Sequence, residues 1–259
     1  MPELPDVEGF RRVLVSCARG RVIGRIDVRD AGVLHGTSVR GLRAALEGRR
    51  FTEPERHGKW LLAHTGGPTL LLHFGMTGSL VCAHPGDEVG SHDRVLFTVG
   101  AARQLRFRDQ RKLQGLWLAR DEAEVARMLA GQGPDALTVG REEFETVLST
   151  RRAVVKTVLT DQSALAGLGN LLADEILWRA GLRPALRASE LTEDDRRRLY
   201  TQMRRTLRSS VTAGRVPPRP SWLTGHRDDR SPDCPRCGTP LRRSRTAGRG
   251  TVRCPRCQP

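Results

Sequence analysis

Lysine is nearly absent from this chain. Of its forty-four basic residues only Lys59, Lys112 and Lys156 are lysines, and the rest are arginine. Negative charge is also short, because twenty-nine acidic residues leave a net charge of +15. That imbalance points to a polyanionic partner. Nucleic acid fits better than a membrane surface, since no strongly apolar amphipathic helix accompanies the charge. Three lysines in so arginine-rich a background mark places where a compact ammonium serves better than a planar fork. No apolar run approaches the length of a membrane span, and no basic-then-apolar leader opens the chain, so a cytoplasmic protein is expected. No internal repeat is visible. At 259 residues the chain has room for two domains, or one large domain with an appendage.

Val7, Phe10, Leu14 and Cys17 recur at helical spacing, with Pro5 suited to a first turn and Gly20 to an end. The spacing predicts a helix over about Pro5 to Arg19, followed by a strand in RVIGRIDV and a short helix in residues 38–50. From Phe51 to Leu118 the text is strand after strand: KWLLAH, TLLLHF, SLVCA, DRVLFTV, RQLRFRD and QGLWLA, with VGAAR as a hairpin turn. Many short strands argue for a β-sandwich or barrel flanked by small helices. Beyond Gly131–Pro134 the patterns are helical, and Thr192 stands where a helix N-cap belongs. Residues 211–233, rich in Pro, Gly and charge, read as a long loop or linker.

Four of the six cysteines stand as Cys234-x2-Cys237 and Cys254-x2-Cys257 with sixteen residues between the pairs. That is zinc-ribbon spacing, and four thiolates fill a tetrahedral shell, so one structural Zn2+ is expected. The inferred cytoplasmic setting disfavours disulfides here. Residues 226–259 hold nine arginines against three aspartates, and Arg242, Arg243, Arg245 and Arg249 fall between the knuckles, suited to a phosphate backbone. Cys17 and Cys82 sit in apolar patterns and read as core residues.

Two further stretches carry chemistry. GLGN, at residues 167–170, precedes an amphipathic helix. Its glycines allow close approach, and the helix N-terminus would suit a phosphate, with Asn170 donating through its amide. The opening MPELPDVE would expose Pro2 as a secondary amine after removal of Met1, with Glu3 as its neighbour.

These pieces together resemble the formamidopyrimidine-DNA glycosylase / endonuclease VIII family of bifunctional base-excision enzymes, and its formamidopyrimidine branch more closely. The resemblance runs through MPELPDVE, HGKWLL, LHFGMTGSL, DQRKLQG, GPDAL, AVVKTVLTDQSALAGLGN and GRGTVRCPRCQ, in that order. It implies an α+β protein: an N-terminal β-sandwich with flanking helices (1–132), a helix–two-turn–helix module (133–225) and a C-terminal four-cysteine zinc finger (226–259). It implies a monomer acting on damaged double-stranded DNA. Pro2 would attack C1′ as the nucleophile, Glu3 would serve as general acid, and Lys59 would position the sugar and its phosphates. Asn170 and Arg249 would grip phosphates. Met76, Arg111 and Leu113 would fill the gap left by the flipped nucleotide. The expected reaction is excision of an oxidised or ring-opened base through a proline Schiff base, followed by β,δ-elimination. On pattern alone, Met76 and Leu113 read as core residues, and only the motif context reverses that.

The chain departs from the family pattern at three places. Asp6 stands where a glutamate is usual, DQRKLQG replaces DPRRFG with Leu113 in place of an aromatic wedge, and residues 211–233 are shortened and rewritten. These departures leave open the opposite-base preference and whether 8-oxoguanine, an oxidised pyrimidine or another lesion is excised. A relative that binds damaged or abasic DNA without turnover is the alternative from a different class.

Overall fold

In the computed structural model, which describes residues 1–259, helix α1 runs Leu4–Ala18. Its inward stripe, Val7, Leu14, Cys17 and Ala18, is fully buried. Strands β1 (Ile23–Val28) and β2 (Leu34–His35), helix α2 (Val39–Leu46), strands β3 (Glu55–His57), β4 (Trp60–His64), β5 (Thr69–His73), β6 (Ser79–Ala83), β7 (Asp93–Val99), β8 (Arg103–Arg108) and β9 (Leu116–Ala119) follow, then helix α3 (Glu122–Leu129). They form two sheets, β1-β7-β8-β6 and β2-β9-β5-β4-β3, antiparallel except where β2 meets β9. Alternation supplies the core between them: Val95, Phe97 and Val99 from β7, Leu105 and Phe107 from β8, Leu70 and Leu72 from β5. This is the sandwich that the strand-rich text predicts. The opposite side of β4, β5 and β9 buries Leu62, Leu71 and Ala119 against Val125, Met128 and Leu129 of α3.

Cys17 and Cys82 correct the sequence reading, because a disulfide joins them. Cys17 is buried as expected, but Cys82 is exposed. Residue 82 shares a strand face with the buried Leu80, yet β6 is an edge strand, and solvent reaches the position beside α1.

The remaining helices are α4 (Arg141–Ser149), α5 (Val155–Thr160), α6 (Asn170–Ala180) and α7 (Glu193–Ala213), followed by the hairpin β10 (Arg242–Thr246) and β11 (Arg249–Arg253). Phe144, Leu148, Leu159, Leu172, Ile176, Leu199, Met203 and Leu207 form their shared core. Thr192 caps α7 in a capping box with Asp195. Helix α7 reaches Ala213 and enters the stretch read as linker, and the rest of that stretch is anchored. Trp222 is buried with the guanidiniums of Arg179 and Arg219 against its ring, and the Thr224 amide donates to the buried Glu175 carboxylate at 3.0 Å. By contact density the chain forms two units, Met1–Pro2 with Asp6–Ala130, and Glu3–Pro5 with Gly131–Pro259.

Candidate functional site

Glu3 occupies the N-terminus of α6. Its carboxylate accepts from the backbone amides of Gly169 (2.9 Å), Leu171 (2.8 Å) and Leu172 (3.1 Å), and the residue is 1% exposed. Three aligned donors at the positive end of a helix stabilise a carboxylate anion. The anion in the GLGN turn is therefore Glu3, and the expectation of a phosphate on these amides is corrected. The glycines follow from the same contact. A Cβ at Gly169 would lie 2.4 Å from the Glu3 carboxyl carbon. One at Gly167, where φ is +112°, would lie 2.5 Å from Leu4 Cδ1. Asn170 opens α6, and its Oδ1 is buried without a hydrogen bond. Pro2 directly precedes Glu3, two residues before α1 begins at Leu4.

Lys59 sits in the two-residue turn between β3 and β4, where Gly58 has φ +56°. Its charge reaches His73, the last residue of β5, whose pKa is drawn down to about 4, first by burial and then by Lys59. His73 pairs with Trp60 across the strands, and its Nδ1 accepts from the Gly75 amide at 3.2 Å, which braces the turn leading to Met76. Sequence reasoning gave His73 no role, although it lies inside LHFGMTGSL. An isolated histidine at a strand end carries no signal until its neighbours are known.

Met76 and Leu113 are 41% and 50% exposed, which excludes the core reading of both. Arg111 Nη1 lies 3.0 Å from Met76 Sδ. Beneath them the fully buried Asp109 accepts from Thr77 Oγ1 at 2.5 Å and from the Arg111 amide at 3.1 Å. One carboxylate thus ties the turn after β5 to the turn after β8. Met76 and Arg111 are brought together, with Leu113 two residues further on.

The four ribbon cysteines converge, with all sulfurs within 4.8 Å of one another. Their closest separations, 3.5 to 3.9 Å, match the edge of a tetrahedron drawn around a zinc–sulfur bond of about 2.3 Å. Hydrogen bonding to Thr239 pulls the Cys237 thiol down to about 6, while burial pushes Cys257 up to about 12. A dication is what lets four such thiols ionise together. Trp178 Nε1 donates to Cys234 Sγ at 3.4 Å, an indole donor suited to a metal-bound thiolate. These residues hold one zinc ion with no position left open.

Arg249 is exposed at the start of β11, beyond a tight turn in which Ala247 and Gly248 are both left-handed. The hairpin is fastened to α6 by Lys156, one of the three lysines, together with Asp174 and Arg227, which have no sequence signature. Buried Lys156 contacts Asp174 Oδ1 at 2.6 Å and donates to the Gly250 carbonyl at 2.9 Å and to Thr251 Oγ1 at 2.8 Å. Asp174 also takes Arg227 and the Val252 amide. Burial pulls the Lys156 ammonium down, and Asp174 opposes that shift.

Three family models match successive stretches of the chain. The formamidopyrimidine-DNA glycosylase N-terminal domain covers residues 1–116, the formamidopyrimidine-DNA glycosylase H2TH domain 130–217, and a zinc finger found in FPG and IleRS 233–259. The formamidopyrimidine-DNA glycosylase of Moorella thermoacetica is 36% identical over 261 residues, covering 95% of each chain. That of Pelobacter propionicus is 38% identical over 275 residues, covering all of both. Among solved structures, a complex of Lactococcus lactis Fpg with abasic-site DNA has a TM-score of 0.89 at 28% identity over 99% of both chains. A Lactococcus lactis mutant bound to Fapy-dG DNA has a TM-score of 0.90 at 27% identity over 99% of both.

Proposed function

Because this chain belongs to the formamidopyrimidine-DNA glycosylase family of DNA-repair glycosylases, we propose that it acts on damaged duplex DNA through an amine–carboxylate pair, Pro2 and Glu3. The observation that carries the proposal is the seat of Glu3, an anion fixed on three backbone amides with Pro2 as its immediate neighbour.

With Met1 removed, Pro2 presents a secondary amine that titrates at about pH 8. Glu3 takes one of the two protons of the Pro2 ammonium, and the freed lone pair attacks C1′ while the damaged base leaves with the second nitrogen proton. Glu3 then returns the proton to the sugar ring oxygen as the ring opens, which is the general-acid step. Nitrogen, now bonded to C1′ and carrying no proton, forms an iminium cation. That cation acidifies C2′–H, so elimination expels the 3′ phosphate and then the 5′ phosphate. Lys59, Asn170 and Arg249 grip phosphates around the lesion, and Met76, Arg111 and Leu113 fill the space it vacates. The buried Asn170 Oδ1 turns that side chain's carbonyl inward and leaves its amide to donate. The protein works as a monomer with one structural zinc.

The substrate class is an oxidised or ring-opened base, in keeping with neighbours solved with Fapy-dG and with carbocyclic 8-oxo-G DNA. A panel of single-lesion duplexes with varied opposite base ranks these substrates. For Glu3→Gln, excision is expected to fall by at least about a hundredfold while abasic-duplex affinity holds within about threefold. Unchanged excision would remove Glu3 from the mechanism.

A further inference from the structure

Leu113 is a large apolar side chain left half in solvent, so packing does not fix its direction. The backbone before it must do so. Lys112 has φ +53°, in the left-handed region that lysine rarely adopts, and only Ala247 shares that property among non-glycine residues. Lys112 Nζ donates to Asp30 Oδ2 at 2.9 Å. Asp30 is itself anchored, since its Oδ1 accepts from the Gly32 amide at 3.0 Å. It also faces Arg94 at 3.6 Å, and Arg94 Nε donates to the Asp109 carbonyl at 2.7 Å. The loop after β8 is thus gripped at its base through Asp109 and at its tip through Lys112, and both grips lead to one carboxylate.

We propose that Asp30 is a positioning residue for the reaction: through Lys112 it holds the 109–115 loop in the backbone shape that presents Leu113 beside the Met76–Arg111 pair. The inference rests on the reading of those three side chains as gap-fillers. Phosphate contacts dominate DNA affinity, so loosening the loop should change the reaction rate and leave binding nearly intact.

The test uses the full-length, zinc-loaded protein and a duplex with one abasic site opposite 2-aminopurine, whose fluorescence rises when its stacking is disturbed by an inserted side chain. Asp30→Asn removes the charge and keeps an oxygen for the Gly32 amide. It is expected to slow single-turnover strand cleavage by about three- to tenfold and to reduce the fluorescence rise, with Kd changed less than about twofold. Lys112→Gly adopts the left-handed turn without strain, so it should retain more of both signals than Lys112→Ala. Leu113→Ala separates the two layers of argument. If it abolishes the fluorescence rise while Asp30→Asn matches the parent in rate and signal, the role of Asp30 is overturned. If Leu113→Ala leaves the rise intact, the gap-filling reading fails and this inference falls with it.

Discussion

His73 stays neutral in the fold down to about pH 4, whereas in the unfolded chain it takes a proton near its ordinary value of 6.5. The unfolded state therefore binds more protons between those values, and stability falls as pH drops through that window. The full effect is at most about 3 kcal/mol, lost between about pH 6.5 and 4. His73→Gln should flatten this part of the acid limb in urea unfolding measured from pH 4 to 7. An unchanged slope would assign it to another group. Glu3 shows at the same scale how far residue types alone can be read. GLGN suggested a phosphate at a helix N-terminus, and the Glu3 carboxylate occupies that place instead. The anion came from 166 residues upstream in the chain, a separation no local spacing encodes. Met76 and Leu113 were ambiguous for a related reason, since an apolar residue in a turn looks like core until its exposure is known.

Elements were legible where their pattern was long enough. SLVCA and DRVLFTV coincide with β6 and β7, and Thr192 caps α7. The failures are short or lack a buried stripe. β2 has two residues and β3 three, too few for alternation to register, and α3 has no fully buried residue. Residues 211–233 looked like a linker by composition, but the buried Glu175 and the Arg179–Trp222 contact lie outside any local pattern. The Cys17–Cys82 bond ties α1 to β6 across 65 residues. Closing a loop of that length restricts the unfolded chain by up to about 4 kcal/mol in the chain-entropy picture. Cys82 is exposed, so Cys82→Ser removes little packing. Its denaturant midpoint should fall to that of the reduced parent, whereas a midpoint equal to the oxidised parent would mean the bond adds nothing to stability.

For the whole molecule, charge and cysteine spacing announced a nucleic-acid protein with a zinc ribbon, and the four converging sulfurs fit that ion. The joint between ribbon and α6 was not legible, because Lys156, Asp174 and Arg227 come from three separate segments. Chelation should release one zinc per chain and cost at least about tenfold in DNA affinity, read by metal analysis and fluorescence anisotropy. Full affinity after zinc loss would detach the ribbon from DNA binding. The central claim is that the mature N-terminal amine is the nucleophile. Borohydride reduction in the presence of abasic duplex DNA, with intact mass checked for Met1 removal, tests it most directly. A covalent protein–DNA adduct mapped to Pro2 and lost in Pro2→Gly is the expected result, and efficient trapping by Pro2→Gly, or an adduct on a lysine, would contradict it.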